Sequence, residues 1–560
     1  MNQQTNWSSR SGSQFTTEKE SVSGSRGVVA ANHPLGAAAG LEMLALGGNA
    51  IDAAIATLFA LNVVEPMMVG VFGAGWMNIR LADGRSIIVD NYSTAPLAAT
   101  PTFYTPVSDQ WPDYMESVGR ANKVGYQAVG VPGTLKAWAE AVTQWGRLDL
   151  ETVMQPAIRY AKRGFTVSAY LSELIRSCQA DLERFPASAQ TFLPQGRPLA
   201  AGERLVQPAL AESLQSIATH GIDILYDGAL GQQISDDIQR NGGILTMADL
   251  RSYHTVQREP LSASYRDVEV TVPAPPCAGG VHLLQILRLL EGYDVGSLGF
   301  GSADGVHLLA ECFKIAFADR AAHLGDPDAV SVPIDWLLSP SYAAERRAGI
   351  DGQRASKPTA GRPPLVESNN TTHVTAADAD GNIACMTQTI NDAFGSKVMV
   401  PGTGILLNNT MALFDPHPGQ PNSVAGGRRM TSSMCPTIVS RNGKPLLALG
   451  TPGGVRIFPS VLQAIVNVID HGMTLQEAVE APRVWTQGQE LELEEGISPL
   501  VHGSLRERGH ALTVVKTVAG GMNGVHFDAE RGLLHGAACW RADGAPMALS
   551  GGPARAGIRF

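Results

Sequence analysis

Apolar residues recur at helical spacing from Pro34 to Leu46 and stop at Gly47-Gly48, the signal of a helix C-terminus. A second helix is predicted at once. Asn49 with Asp52 three residues on reads as a capping box, Ile51, Ala54, Ile55, Leu58 and Leu61 share one face, and Pro66 ends the run. The Gly-dense stretch Gly70 to Gly75 predicts a tight buried turn, because it lacks the spacing that cradles phosphate. Residues 76–90 alternate around Asp83-Gly84 as a β-hairpin does. Residues 134–245 are largely helical in pattern, and Val306, Leu309, Phe313 and Phe317 mark a further helix that ends before Gly325-Asp326-Pro327.

The texture changes near residue 350. Residues 350–368 are polar and rich in Pro and Gly, which predicts a mobile surface linker. Beyond it the pattern is of short strands: 371–377 and 383–389 around Asp378-Ala-Asp-Gly-Asn382, then an apolar strand at Leu446 to Leu449, a helix at 457–471, and more strands toward the end. Strand-rich and helix-rich blocks alternate without a βαβ period. The expectation is α+β, sheets packed together with helices outside, rather than a doubly wound fold.

Composition narrows the classes. At 560 residues and 44% hydrophobic, the chain can bury a sizeable core. A formal net charge of −10, with no Lys/Arg block, leaves out the footprint of a nucleic-acid binder. The most apolar stretch, Ile51 to Gly75, is broken by Asp52, Asn62 and Glu65, so no membrane span is expected. The polar first residues lack the core of a secretory signal and read as a disordered leader over residues 1–25 of a cytoplasmic protein. Six scattered cysteines read as free thiols, and the histidines show no metal-ligand spacing, so neither a metal nor another cofactor is expected.

Three segments offer chemistry. Centring the 371–389 hairpin on Asp380 puts Thr371 opposite Thr389, with His373 and Thr375 on the same face and Asn391 just beyond. Opposed threonines are also ordinary sheet chemistry. Gly450-Thr-Pro-Gly453-Gly454 lies between a strand and a helix, where successive glycines can aim two backbone N–H groups at one point, as an oxyanion hole requires, or merely make a tight turn. Arg428-Arg429-Met-Thr431-Ser432-Ser433 combines cations and hydroxyls that suit a carboxylate, a pattern that solvated loops share.

Taken in order, Asn370-Thr371-Thr-His373-Val-Thr375, Asp378-Ala-Asp-Gly-Asn382, Thr389-Ile-Asn391, Gly404-Ile-Leu-Leu-Asn408-Asn409, Thr431-Ser432-Ser433-Met-Cys-Pro436 and Gly453-Gly454 resemble the γ-glutamyltranspeptidase family of N-terminal-nucleophile hydrolases. Gly47-Gly48-Asn49, Ala95-Pro96, Val131-Pro132-Gly133-Thr134 and Pro275-Pro276-Cys277 extend the likeness upstream. The resemblance implies a four-layer αββα sandwich built from one precursor, cut between Asn370 and Thr371 into a large subunit (26–370) and a small one (371–560) that stay together as a heterodimer, with a dimer of heterodimers as the alternative assembly. Thr371 would be the nucleophile, Thr389 its orienting partner, and Gly453 and Gly454 the oxyanion hole. Asn391 would line the acyl pocket and Ser432 and Ser433 would bind a substrate carboxylate; Thr410, where many members carry Gln, and Arg429, from the cation-hydroxyl run, are further candidates for that pocket. A freed α-amino group, with a pKa of about 8, would supply the base.

Besides Thr410 and a loop at 415–427 that looks shorter than the lid of several bacterial transpeptidases, two charge-bearing positions depart from that pattern. Where the transpeptidases carry an arginine and an aspartate for the glutamyl α-carboxylate and α-amino group, the matching residues here are Tyr92 and Leu413. A γ-glutamyl donor is therefore disfavoured, since its ammonium would face Leu413 unpaired. The expected substrate is a small amide with a carboxylate and no α-amino group. Oxamate is the first choice, resembling the oxamate amidohydrolases of purine degradation, and a glutaryl or cephalosporin acylase is the alternative. A γ-glutamyl hydrolase or transpeptidase and an inactive scaffold are the remaining readings.

Overall fold

The computed structural model of the chain describes residues 7–356, 367 and 370–550. Of the predicted linker, residues 357–366 and 368–369 lie outside that set.

The predicted early elements form as read. The first helix spans Pro34–Ala45, and the capping box of Asn49 and Asp52 opens the second, Ala50–Val64, whose residues are all buried. Gly47 closes the turn between them at φ 92°. The hairpin pairs Ala74–Arg80 with Ser86–Asp90.

Two seven-stranded sheets make the centre of the molecule. One runs Ala545–Leu549, Gly27–Ala31, Thr372–Asp378, Ile383–Thr389, Ala74–Arg80, Ser86–Asp90, Val256–Arg258. The other runs Val22–Gly24, Leu533–Ala538, Asn523–Asp528, Lys444–Gly450, Thr437–Arg441, Val268–Val272, Leu261–Tyr265. Neighbours in both are antiparallel. The sheets stack face to face, the two N-terminal helices covering the first and Ala278–Leu290, Ile457–Ile469 and Leu475–Glu480 covering the second. This is the αββα sandwich the sequence implied. Strand Thr372–Asp378 lies between a helical layer and the opposite sheet, so all seven of its residues are buried.

Each sheet mixes strands from before and after Thr371. Parting the chain at that point leaves two pieces that share both sheets, and separating them would expose unpaired strand edges. A second tie is Asp378. Its carboxylate accepts from Ala50 N at 2.9 Å, from Asp380 N at 2.9 Å and from Asn382 N at 3.0 Å, so one anion both closes the hairpin turn and caps the N-terminus of the second helix.

The expected disordered leader is corrected from residue 7 on. Trp7 is 8% exposed, stacks on Phe15 at 4.9 Å and donates from Nε1 to Glu477 Oε1 at 3.0 Å. Lys19 Nζ donates to the carbonyls of Cys539, Ala542 and Gly544, and Val22–Gly24 adds a strand to the second sheet. Two aromatics and one lysine in a polar stretch are enough to dock it; average composition hides them. Residues 1–6 lie outside the described set.

Candidate active site

Thr372 pairs with Gln388, the predicted register, and this brings the Thr371 and Thr389 hydroxyl oxygens to 3.3 Å. Thr371 is 4% exposed. Its hydroxyl donates to the carbonyl oxygen of Asn370 at 2.8 Å, and the Thr389 hydroxyl donates to the same oxygen at 2.8 Å. Asn391 N donates in turn to Thr389 Oγ1 at 2.8 Å. One peptide carbonyl is thus polarised by two hydroxyls, one of them from the residue whose oxygen can attack it.

Strand ends are held in place by close backbone approach. A Cβ on Gly73 would sit 2.3 Å from the Thr389 carbonyl oxygen, which explains the Gly-dense turn at 70–75. Gly73→Ala is expected to push Thr389 off its position and slow self-cleavage at least about tenfold, read on a denaturing gel over time.

His373 is fully buried. Its Nδ1 meets Thr387 Oγ1 at 2.8 Å and its Nε2 meets Thr375 Oγ1 at 3.0 Å, and burial lowers its pKa to about 3, so the ring is neutral. A Cβ on Gly450 would lie 2.3 Å from that ring, so the turn that follows the second sheet's strand Lys444–Gly450 abuts the nucleophile's strand. In that turn Gly453 and Gly454 have φ of 142° and 55°, conformations that glycine alone adopts at ease. Among the described residues neither of their N–H groups has a hydrogen-bond acceptor, and helix Ile457–Ile469 starts just beyond. Free donors at a helix N-terminus suit a developing oxyanion.

Behind the nucleophile lies Glu65, at the end of the second helix. Thr372 Oγ1 donates to Glu65 Oε2 at 2.8 Å, and burial raises the carboxyl to about 8. The native state therefore keeps a proton that the unfolded chain releases above the ordinary glutamate range. Its stabilising contribution is full below about pH 4.5 and is lost as the pH rises through about 8. Glu65→Gln retains the shape without the titration, so its melting temperature should fall less between about pH 5 and about pH 9 than that of the wild type.

The residues expected to line the pocket come from both halves of the chain. Tyr92, 2% exposed, lies beside Ser432, and burial raises the phenol's pKa, helped by the charge of Glu367. Ser432 and Ser433 are each 1% exposed. They are clamped by Cys277, which bridges to Ser432 and whose buried thiol donates to Met434 O at 2.8 Å. Ser433 Oγ accepts from the Arg320 guanidinium. Leu413 is 6% exposed and ends the short 3-10 turn Thr410–Leu413. Asn391, at φ 78°, donates from Nδ2 to Asn409 O and Oδ1, both at 3.1 Å.

A profile of the gamma-glutamyltranspeptidase family matches residues 36–549. The chain belongs to the γ-glutamyltranspeptidase family. It is similar to the acylase ACY 1 proenzyme of Pseudomonas sp. (strain SE83), 54% identical over 98% of each chain, and to the glutathione hydrolase proenzyme of Bacillus subtilis (strain 168), 37% identical over 94% of this chain and 92% of that one. Among solved structures it resembles cephalosporin acylase from Bacillus halodurans, with a TM-score of 0.87 and 31% identity over 96% of this chain and 98% of that one. As a γ-glutamyltranspeptidase family member the chain is an N-terminal-nucleophile hydrolase of amide bonds, made as a proenzyme that is processed into two subunits.

Two of the residues expected in the pocket are already engaged within the protein. For Arg429, Nη1 donates to Tyr92 O at 2.6 Å and pairs with Asp90 at 3.3 Å, and Nη2 donates to His254 O at 2.7 Å. Such a buried cation is already committed to the strand ends around it. Thr410 is fully buried, and its hydroxyl donates to Asn408 Oδ1 at 2.8 Å, within the Asn408-Asn409 turn. What sequence reasoning missed is Arg320. It sits near the end of helix Ala303–His323 in a run that reads only as a helix, with no motif to single it out.

The fold also gathers His307, Glu311 and His510, whose ligand atoms lie within 4.8 Å of one another, a cluster invisible in sequence spacing. His307 Nδ1 already meets His510 Nε2 at 2.8 Å, His307 Nε2 meets Asp351 O at 2.8 Å, and Lys314 Nζ pairs with Glu311 at 2.7 Å. The lysine supplies the positive charge there. No helix among the described residues is long and apolar enough to cross a membrane.

Proposed function

We propose that the chain cuts itself between Asn370 and Thr371 and then hydrolyses amides of a carboxylate-bearing acyl group without an α-amino group, as a glutaryl or cephalosporin-type acylase, through an acyl ester on Thr371. The observation that carries the first step is the Asn370 carbonyl held by both the Thr371 and Thr389 hydroxyls at 2.8 Å. Attack by Thr371 Oγ1 on that carbonyl carbon moves the acyl group from nitrogen to oxygen, and water then releases it, leaving a free α-amino group beside the hydroxyl. That amine takes the hydroxyl proton as Oγ1 attacks the substrate amide and returns it to the leaving amine. Water resolves the acyl ester with the carboxylic acid as product.

Specificity rests on Tyr92 and Leu413. An ammonium placed against Leu413 meets an apolar side chain in place of a carboxylate, a loss of at least about 3 kcal/mol on the scale of an unpaired buried charge, or roughly a hundredfold in kcat/KM. The acylase alternative takes precedence over oxamate because the relatives just described include two acylases, one of them 54% identical. The test is a panel of glutaryl anilide, γ-glutamyl anilide and oxamate offered to the processed protein. Glutaryl turnover at least about a hundredfold above γ-glutamyl is expected. Preference for γ-glutamyl would overturn the argument from Tyr92 and Leu413, preference for oxamate would return the first reading, and inertness toward all three would favour a scaffold.

A further inference from the structure

Arg483 is 2% exposed, and its guanidinium donates to the carbonyls of Val518, Gly520 and Val479, each at 3.1 Å. Those bonds satisfy its N–H groups but bring no negative charge. Arg541, also buried, stands beside it and pairs with Glu494. The Glu494 carboxylate is engaged with the Arg541 side chain and with the backbone N–H groups of Arg483 and Val518, so two buried cations are set against one buried anion. Arginine keeps its proton inside proteins, even where burial pulls its pKa down as at Arg483. The cluster is one negative charge short.

The remaining group that faces it is Cys539, from 56 residues further along the chain than Arg483. Its sulfur accepts from Met522 N at 3.1 Å and from Arg483 Nη2 at 3.8 Å. Were it a thiol, its proton would point to Gly520 O, 3.9 Å away and already accepting from Arg483 and from Thr451 Oγ1, both at 3.1 Å. Lys19 Nζ, on the carbonyl of the same cysteine, adds positive charge from the N-terminal segment. Burial drives the thiols of Cys277, Cys312, Cys385 and Cys435 up. At Cys539 burial pushes the same way, but Arg483 and Arg541 outweigh it and hold the thiol below its ordinary range.

What the cysteine holds is a loop that touches both working parts of the site. Thr451 Oγ1 donates to Gly520 O, and a Cβ on Gly453 would lie 2.5 Å from that of Ala519, so residues 519–520 back the glycine turn. Cys539 N donates to Met522 O at 2.9 Å while Met522 N donates to the sulfur, a reciprocal clamp. The next residue, Asn523, donates from Nδ2 to His373 O at 2.7 Å, two residues beyond Thr371.

We propose that Cys539 stands in the folded protein as a thiolate, the counter-ion that Arg483 otherwise lacks, and that this ion pair fixes the 518–523 loop against the oxyanion turn and the nucleophile's strand. A buried guanidinium left without an anion is a costly state, and the thiolate removes that cost. Cys539 meets no reacting atom; it is a positioning residue that acts through the loop. That role rests on Gly453 and Gly454 forming the oxyanion turn, whereas the charge state does not.

Two measurements test this. In the Raman spectrum of the native wild type near neutral pH, the S–H stretching intensity should correspond to five thiols, six cysteines less one, against six once the chain is unfolded in acid. Cys539→Ser keeps the shape and gives up the charge. It should cut at Thr371 at least about tenfold more slowly and turn over the best amide of the panel with kcat at least about tenfold lower and KM little changed, the mark of a contact made in the transition state. Cys539→Asp restores a negative charge and should recover most of both rates. Six native S–H groups overturn the proposal, and so do Cys539→Ser and Cys539→Asp proteins that cut and turn over alike. If neither variant folds, the S–H count decides alone. Five native S–H groups with charge-dependent cutting, in a protein inert toward the whole panel, uphold the ion pair and sink the amidase reading instead.

Discussion

Thr371→Ala should leave one uncut chain on a denaturing gel, with amidase activity lower by roughly 10⁴-fold or more, the scale on which loss of an acylated nucleophile is felt. Two independent losses meet at this residue. The alanine has no oxygen to attack the Asn370 carbonyl, so the N-terminal amine that would act as base is never released. The Thr389 hydroxyl still donates to that carbonyl, 2.8 Å away, but polarisation without a nucleophile does not break the bond. Thr371→Ser separates the two roles. It keeps the oxygen and loses only the methyl that fixes the rotamer in a site 4% exposed, so cutting should persist at a reduced rate. A Thr371→Ala protein that still appears as two bands would place the nucleophile elsewhere.

Much of this site was legible because its parts are local. The hairpin around Asp378 to Asn382 fixes its own register, and register alone sets Thr389 beside Thr371. The Asn49–Asp52 capping box and the glycines at 453 and 454 likewise announce themselves within a few residues. What the sequence concealed depends on contacts between distant segments. Arg320 meets Ser433 only after a helix of the large half folds over a loop of the small half, and Arg429 looks like a carboxylate binder until Asp90 is placed beside it. Trp7 and Lys19 dock a stretch whose average polarity suggested disorder, for the same reason. Short-range patterns specified the nucleophile, while the pocket that chooses the substrate is assembled from long-range packing.

That division gives the second large effect an unexpected location, at Glu494, well outside the sequence motifs. Its carboxylate pairs with Arg541 through Nε at 2.8 Å and accepts from Val518 N at 2.6 Å and from Arg483 N at 2.9 Å, with the Arg541 side chain fully buried. Arg483 in turn donates to Val518 O and Gly520 O, both at 3.1 Å, and burial beside Arg541 lowers its pKa to about 10. The loop thus held lies directly against the candidate oxyanion turn: Gly520 N donates to Pro452 O at 2.9 Å, and a Cβ on Gly453 would lie 2.5 Å from that of Ala519. Glu494→Ala leaves the buried Arg541 guanidinium without its carboxylate and the N–H groups of Val518 and Arg483 without their acceptor, and breaking such a buried pair by removing one partner costs about 3–5 kcal/mol. Denaturant unfolding should show a loss of that size. Glu494→Gln keeps the volume and one acceptor oxygen for Val518 N, so it should fold better than the alanine variant while still losing charge opposite Arg541. Because the 518–520 loop would loosen in both, cutting at Thr371 should slow in step with the stability loss. A Glu494→Gln protein that is destabilised yet cuts at the wild-type rate would show that the glycine turn keeps its shape without that support.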